Sequence, residues 1–204
     1  MKNLQELVQH LIKVKALKTL SIISAFEKTD RIGFIFPEHR HLAYEDFPLT
    51  IGYGATISQP YTVAFMMELL QPKKGEKILD IGSGSGWTTA LLGEMVGNEG
   101  KVFGTEIVPE LVEFGAKNLE KYKLSWVKII QADEKKLGLP KEAPFNKILV
   151  SATAWKTPQE LINQLASPGR LVIPIRNSVW QIDKDEKGEV SLKEFPGFAF
   201  VPLK

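Results

Sequence analysis

A glycine-rich segment after a short apolar run carries the residues best suited to hold a ligand. It reads Ile78-Leu79-Asp80-Ile81-Gly82-Ser83-Gly84-Ser85-Gly86-Trp87. Glycines let the backbone turn tightly and approach a ligand, and a helix that starts after such a loop offers unpaired N–H groups to an anion. A dinucleotide-binding loop follows the spacing G-x-G-x-x-G, which would require a third glycine where this chain has Trp87. The spacing therefore argues against a dinucleotide.

Three acidic residues, Asp80, Glu106 and Asp133, follow three successive predicted strands. A carboxylate at Asp80 suits a cationic amino group, such as that of a methionine moiety, held directly or through water. Glu106 lies about 20 residues beyond the loop, where an acid can accept hydrogen bonds from both ribose hydroxyls. Asp133 is placed to accept from an adenine amino group, so the three acids fit an adenosyl amino acid. Two alternatives stay open: Asp80 and Glu106 cap strand ends, and Asp133 belongs to a solvated loop with the charged residues 134–136.

The elements that must position these residues alternate between strand and helix from Lys77 onward. Such alternation predicts parallel βαβ units, and ligands bind at the carboxyl ends of the strands in such sheets. The predicted strands are Lys77–Asp80, Lys101–Glu106, Val127–Ile130, Lys147–Ser151 and Arg170–Pro174. The predicted helices are Trp87–Val96, Pro109–Tyr122 and Pro158–Leu165.

The chain after Pro174 predicts an antiparallel closing hairpin. Its strands would be Val179–Asp183 and Phe198–Leu203, with a turn over Asp183–Gly188. The fold class is therefore α/β, with a Rossmann-like, doubly wound, mostly parallel sheet and helices on both faces. The N-terminal 60 residues are different in kind, because helical patterns give way to an irregular stretch from Arg31 to Pro60.

The composition restricts the possible partners and compartments. The 204 residues are 44% hydrophobic and 25% charged, with a formal charge of +2, which argues against nucleic acid as the main partner. The absence of cysteine excludes disulfides and thiolate chemistry, and it suits the cytoplasm, where we expect the protein to act. We expect no membrane association, because the apolar residues near the N-terminus are interrupted by charges and predict an amphipathic helix rather than a signal peptide. No metal site is expected, because the three histidines lack ligand spacing.

Two resemblances add to this interpretation. Asp80–Gly86 together with Val102–Glu106 resembles the first two motifs of class I S-adenosylmethionine-dependent methyltransferases. A narrower resemblance, to the protein-L-isoaspartate O-methyltransferases, extends over most of the chain. The segments that carry it are Ala43–Leu49, Ile51–Pro60, Ala143–Phe145, Gln164–Leu165, Pro168–Pro174 and Phe200–Leu203.

The resemblance implies S-adenosyl-L-methionine as cofactor and isoaspartyl-containing peptides or proteins as partners. It places Ser58 at the methyl-transfer centre, as a hydrogen-bonding positioner, with Val201 and Leu203 lining the peptide pocket. The alternative for Ser58 is the N-cap of a helix over Pro60–Leu70. The cofactor residues that the resemblance implies are Thr56, Ile57, Gln59, Asp80, Gly82, Ser83, Gly84, Gly86, Glu106, Ile107 and Asp133.

The implied organisation is one methyltransferase domain over residues 1–204, which we expect to be a monomer. Residues 1–60 would form a helical, substrate-covering segment, and residues 61–204 a Rossmann-like cofactor-binding core. The implied reaction methylates the α-carboxylate of an L-isoaspartyl residue. That carboxylate has an ordinary pKa of about 4 and is ionised at neutral pH, so alignment of the reactants rather than a general base is required.

The chain departs from the usual family sequence at Ala55, residues 132–134, Trp155 and Arg176. These departures bear on the shape of the substrate pocket. They leave two rival functions open: a class I methyltransferase with a different acceptor, either a small molecule or RNA, and a non-catalytic cofactor-dependent binding module.

Overall fold

The computed structural model describes residues 1–203. Its helices are α1 (Leu4–Lys13), α2 (Leu20–Lys28), α3 (Pro60–Leu70), α4 (Trp87–Val96), α5 (Pro109–Glu120) and α6 (Gln159–Asn163). Its strands are β1 (Leu49–Thr50), β2 (Thr56–Ile57), β3 (Lys77–Ile81), β4 (Lys101–Glu106), β5 (Val127–Gln131), β6 (Phe145–Val150), β7 (Leu165–Ile175), β8 (Ser178–Lys184) and β9 (Val190–Pro196). Within residues 1–203, no helix combines the length and the apolar character needed to cross a membrane.

The main sheet has seven strands in the order β5-β4-β3-β6-β7-β8-β9. Strands β3 to β7 pair in parallel, whereas β8 and β9 pair antiparallel at the edge. The order of the strands reverses beside β3, because β4 lies on one side of it and β6 on the other. In doubly wound sheets the ligand crevice forms at this switch point. The predicted Rossmann-like α/β fold is confirmed.

Both faces of the sheet are covered, but unequally. Adjacent residues of β3 point to opposite sides, so that Ile78 joins one buried apolar cluster and Leu79 the other. The cluster around Ile78 receives buried residues from α1 to α5 and from the N-terminal segment. The cluster around Leu79 receives Leu161 and Ile162 from the short helix α6. The N-terminal segment therefore packs continuously with the sheet that forms the ligand crevice.

The predicted second hairpin strand, Phe198–Leu203, is wrong. The strand that pairs with β8 is β9, which ends before Gly197. Pairing begins directly after the turn because the Asp185 carboxylate accepts hydrogen bonds from the N–H groups of Lys187 and Glu189. Most side chains of β9 are exposed. An exposed, charged edge strand lacks the apolar signal that reveals a buried one, and this misled the prediction.

The predicted helix Pro158–Leu165 is shorter in the structure. Pro158 is the N-cap residue of α6 rather than its first helical residue, and α6 ends at Asn163. Leu165 instead opens β7 and lies opposite Phe145 of β6. The side chain of Leu165 is buried in the cluster around Leu79. Pairing and burial in the sheet therefore override the helical pattern at this end.

Candidate active site

A cavity of about 400 Å³ lies at the carboxyl ends of β3 and β4, within the size range of small-molecule sites. Its walls include residues 53–58, the glycine loop, residues 105–108, the loop 132–138 and the C-terminal residues 201–203. The sequence-predicted site residues that line it are Thr56, Ile57, Ser58, Gly82, Ser83, Gly84, Glu106, Ile107, Asp133, Val201 and Leu203. Three others, Gln59, Asp80 and Gly86, do not line the cavity wall.

The glycine loop adopts a backbone path that favours glycine at three positions. Gly82, Gly84 and Gly86 have φ angles of 76°, 49° and 85°, a region that side-chain-bearing residues rarely adopt. A Cβ atom on Gly86 would lie 3.0 Å from the carbonyl oxygen of Gly115 in α5. The three glycines therefore permit the turn, and Gly86 also permits the close packing of the loop against α5.

Glu106 connects the glycine loop to the end of β4. Its Oε2 accepts a hydrogen bond from the Gly84 N–H at 2.9 Å. Its Oε1 accepts from the N–H groups of Ile107 at 2.8 Å and Val108 at 3.0 Å. The residue is only 8% exposed, yet it lines the cavity. A carboxylate has about four acceptor positions, so one remains for a ligand hydroxyl. The capping alternative and the ligand alternative for Glu106 are thus compatible.

Asp80 lies fully buried at the end of β3. Its Oδ2 accepts hydrogen bonds from the hydroxyls of Thr88 at 2.7 Å and Thr89 at 2.6 Å. Its Oδ1 has no hydrogen-bond partner among the described residues. Burial raises the pKa of the Asp80 carboxyl to about 6, against the effect of the two threonine hydrogen bonds. A buried carboxylate oxygen left without a partner favours a cationic or donating ligand.

Asp133 has a different environment from the other two acids. Its side chain is 53% exposed, and its Oδ2 lies 3.8 Å from the Lys136 Nζ. Its Oδ1 accepts a hydrogen bond from the Lys135 N–H at 2.9 Å, which forms a local turn. The residue nevertheless lines the cavity. The solvated-loop alternative therefore describes its surroundings, while its position also leaves it available to a ligand.

Ser58 does not cap α3, so that alternative is wrong. The N-cap residue is Gln59, whose Oε1 accepts from the Thr62 hydroxyl at 3.3 Å. An N–H group in the first turn of α3 is capped instead by Asp46, whose Oδ1 accepts a hydrogen bond from the Tyr61 N–H at 2.8 Å. Ser58 lines the cavity, as the glycine loop does, but it comes from a different segment of the chain. The Ser58 side chain is therefore not used as a helix cap, although its residue type and position in the sequence allowed that role.

The sequence model of the protein-L-isoaspartate(D-aspartate) O-methyltransferases matches residues 2–204. The chain belongs to this family. It is 41% identical over 201 residues to the protein-L-isoaspartate O-methyltransferase of Aeropyrum pernix, which covers 97% of this chain and 77% of that relative. It is 42% identical over 202 residues to the relative from Thermococcus onnurineus, with 96% and 90% covered.

A crystal structure of a family member from Plasmodium falciparum, in complex with S-adenosyl-L-homocysteine, has the same fold. The TM-score is 0.88 at 27% identity, and the match covers 100% of this chain and 99% of that one. The site of this methyltransferase fits a ligand of that class. The buried Ser83 hydroxyl, which has no partner within residues 1–203, lines the cavity and can accept from an amino group, and the Asp80 Oδ1 behind the wall adds negative charge there. Glu106, with one acceptor position left, can accept from one ribose hydroxyl.

The departures from the usual family sequence fall into two groups. Ala55 and residues 132–134 line the cavity. Trp155 and Arg176 do not line it: Trp155 is 81% exposed, and the Arg176 N–H donates to the Ala154 carbonyl at 3.0 Å beyond the end of β7. Of these departures, only Ala55 and residues 132–134 therefore contribute to the cavity wall.

Sequence reasoning missed two kinds of contributor to this site. The hydroxyls of Thr88 and Thr89 donate hydrogen bonds to the Asp80 carboxylate, and the residue type of these threonines does not indicate this role. Gly115 lies within α5, where a glycine weakens a helix and so signals a packing or functional reason. That reason is contact with the glycine loop, because a Cβ on Gly115 would lie 2.8 Å from the Gly84 carbonyl oxygen and 2.7 Å from Ile129.

We expect Gly115→Ala to raise the dissociation constant of S-adenosylmethionine about 10-fold and to lower the free energy of unfolding by about 1–3 kcal/mol. The added methyl group must displace the backbone of the glycine loop or the Ile129 side chain. Isothermal titration calorimetry and urea denaturation measure the two effects. Lys117→Ala, at an exposed position of the same helix, is the control. An unchanged cofactor affinity in Gly115→Ala would show that the conformation of the glycine loop does not depend on its close contact with α5.

Proposed function

We propose that the protein transfers the methyl group of S-adenosyl-L-methionine to the α-carboxylate of L-isoaspartyl residues in damaged polypeptides, the first step of their repair. The observation that carries the proposal is one shared cavity. The glycine loop and Glu106, which we assign to the donor side, line it together with Ser58, Val201 and Leu203, which we assign to the acceptor side. A transferase needs both reactants in one water-excluding space, and this arrangement supports it.

We propose that the cofactor is held mainly by acids and by backbone N–H groups. Glu106 would accept from one ribose hydroxyl rather than from both, and Asp133 from the adenine amino group. Asp80 would attract the amino group of the methionine end through Ser83 or a water molecule, since Asp80 itself does not line the cavity. The wall residues Gly82, Gly84 and Ile107 would pack along the cofactor, with Thr56 and Ile57 covering it. Gly86 and Gln59 do not line the cavity and would contribute indirectly. Gly86 would shape the glycine loop, and Gln59 would begin α3.

The acceptor needs positioning rather than activation. An isoaspartyl carboxylate is ionised at neutral pH, because its ordinary pKa is about 4. The cofactor supplies a methyl group already activated on a sulfonium. Ser58 would donate a hydrogen bond that orients the attacking carboxylate oxygen, and the C-terminal residues Val201 and Leu203 would hold the polypeptide. Lys135, which also lines the cavity, adds a positive charge that favours an anionic acceptor.

We expect Ser58→Ala to lower kcat about 10-fold, the effect of losing one hydrogen bond to a charged group. The cofactor dissociation constant should stay within error, because Ser58 faces the acceptor side. Steady-state kinetics and calorimetry separate the two quantities. Ser125→Ala, at an exposed position outside the cavity, is the matched control. An equal loss of affinity and turnover would assign Ser58 to the cofactor instead.

The proposed activity is tested with two peptides that differ only in an isoaspartyl or a normal aspartyl linkage. The purified protein is incubated with methyl-labelled S-adenosylmethionine and each peptide. Base-labile label on the isoaspartyl peptide alone is the expected result. Absence of label on both peptides, with cofactor binding confirmed by calorimetry, would contradict the proposal. Label on RNA or a small molecule would then point to the altered loop 132–134, and no label anywhere to a binding module.

We further propose that the protein acts as a single-domain monomer in the cytoplasm, with residues 1–60 covering the substrate and residues 61–204 forming the core. The cavity of a single chain already contains both the proposed cofactor residues and the proposed acceptor residues, so the proposed activity requires no second subunit. The cysteine-free composition suits a reducing compartment. Multi-angle light scattering with and without cofactor tests the oligomeric state.

A further inference from the structure

Arg31 is a buried cation to which the proposed reaction assigns no role. Its side chain is fully buried, in a short 3-10 helix that ends at Phe34. Burial lowers the pKa of its guanidinium to about 10, so the group still carries its charge at neutral pH. A buried charge is unfavourable unless polar partners replace the lost water. The partners of Arg31 therefore indicate what the residue does.

Those partners are backbone carbonyls from two separate segments of the chain. Nη1 donates to the carbonyl oxygens of residues 43 and 45, at 2.9 and 3.2 Å. Nη2 donates to those of Phe47 at 3.0 Å, Ser58 at 3.2 Å and Ile57 at 3.5 Å. The planar fork of an arginine can serve several acceptors in fixed directions. The guanidinium thus joins the turn 43–47 to the end of β2, where Ser58 begins the acceptor side of the cavity.

Arg31 also contacts the donor side. Its Cζ lies 5.6 Å from the centre of the Trp87 ring, a cation–π arrangement. Trp87 directly follows Gly86, lines the cavity and opens α4. Its indole N–H donates to the Thr29 carbonyl at 3.2 Å, two residues before Arg31. The Trp87 ring is therefore held against the same part of the chain from which the guanidinium reaches Ser58.

We propose that Arg31 is a positioning residue for methyl transfer: it fixes the backbone at Ser58 relative to Trp87 and the glycine loop. The inference rests on the proposed function, because it concerns the alignment of that site's two sides. In-line transfer between bound reactants depends steeply on geometry, and a displacement of about 1 Å can lower a rate about 100-fold. A residue that spans both sides of the cavity is suited to prevent such a displacement.

The main test is Arg31→Lys, which keeps the charge but cannot direct hydrogen bonds to five carbonyls. We expect kcat on the isoaspartyl peptide to fall about 100-fold, as for a lost alignment. The cofactor dissociation constant should rise much less, by under about 10-fold, because the glycine loop and Glu106 remain intact and only the cover at Ile57 is loosened. Arg31→Met removes the buried charge together with its hydrogen bonds. It should likewise lower kcat strongly while changing the cofactor affinity little. It carries the test if the lysine variant does not fold.

The controls separate positioning from stability. Ile182→Val and Ile182→Ala remove volume from the buried cluster around Leu79, and they provide a graded loss of stability. At a matched melting temperature, they should retain kcat. A kcat for the Arg31 variants no lower than that of the matched Ile182 variant would overturn the proposal. A cofactor affinity that falls as far as kcat would also overturn it, by assigning Arg31 to cofactor binding.

Hydrogen–deuterium exchange tests the link without relying on activity. In Arg31→Lys, amides of residues 43–58 should exchange faster than in the parent protein, while those of β3 should not change. Unchanged exchange in residues 43–58 would contradict the proposed tie. If the parent protein does not methylate the isoaspartyl peptide, the proposed function fails, and the exchange measurement still decides whether Arg31 holds this segment.

Discussion

Replacing Glu106 with glutamine is expected to raise the dissociation constant of S-adenosylmethionine about 1000-fold, from the loss of two charge-assisted hydrogen bonds of about 2 kcal/mol each. The carboxylate accepts from three backbone N–H groups, those of Gly84, Ile107 and Val108. A glutamine amide has one accepting oxygen, and its NH2 group would face at least one of these donors. The variant therefore loses the tie to the glycine loop together with an acceptor for the ribose.

Calorimetry with S-adenosylmethionine and S-adenosylhomocysteine measures this effect. Glu110→Gln is the matched control, because it makes the same change of charge at an exposed position in the first turn of α5. The control should bind normally. At saturating cofactor, Glu106→Gln should recover most of its kcat, since Glu106 is proposed to bind the cofactor and not the acceptor. A change in affinity below about 3-fold would remove Glu106 from the proposed cofactor site.

The strands that carry this site were predictable because their signal is local. A buried parallel strand is an apolar run flanked by turn residues, and such a run marks β3 within one residue of its observed end at Ile81. The carboxyl ends of parallel strands lie at one edge of the sheet, so the acids that follow them meet there. The meeting of Glu106 with the glycine loop follows from this rule.

Contacts between distant segments were not predictable in the same way. Arg31 looks like an ordinary surface cation in the sequence, and only the folded chain brings the carbonyl of Ser58, 27 residues away, to its guanidinium. The same holds for Asp46, which serves the first turn of α3 from outside the helix. Trp155 illustrates the opposite error, because its residue type suggests a core or pocket wall, yet it is 81% exposed.

The burial of Asp80 also lay beyond the sequence, and it has a measurable consequence. The folded chain raises the pKa of this carboxyl from 3.8 to about 6. The native state therefore holds the proton more tightly than the unfolded state does. The free energy of unfolding falls as the pH rises between these two values, and above about pH 6 the buried charge costs about 3 kcal/mol.

Asp80→Asn should accordingly stabilise the cofactor-free protein at pH 8, by up to about 3 kcal/mol, and much less at pH 4. The neutral amide avoids the burial of a charge, and the hydroxyls of Thr88 and Thr89 can rotate to suit it. Urea denaturation at the two pH values measures the difference. Glu186→Gln, an exposed change of the same charge, should show no such pH dependence. A destabilised Asp80→Asn at pH 8 would contradict the assigned cost of burial.

The same substitution should weaken cofactor binding about 10-fold, because the amide no longer attracts the amino group of the methionine end through Ser83 or a water molecule, an indirect interaction of about 1.5 kcal/mol. Stability and affinity then change in opposite directions, which a simple packing defect at Asp80 would not produce.

Proton release provides an independent readout in the parent protein. Near pH 6 the cofactor-free carboxyl is partly protonated, and a bound cation favours its ionised form. Calorimetry in buffers of different ionisation enthalpy should therefore detect a proton released on binding at pH 6 and none at pH 8, whereas Asp80→Asn should release none at either pH.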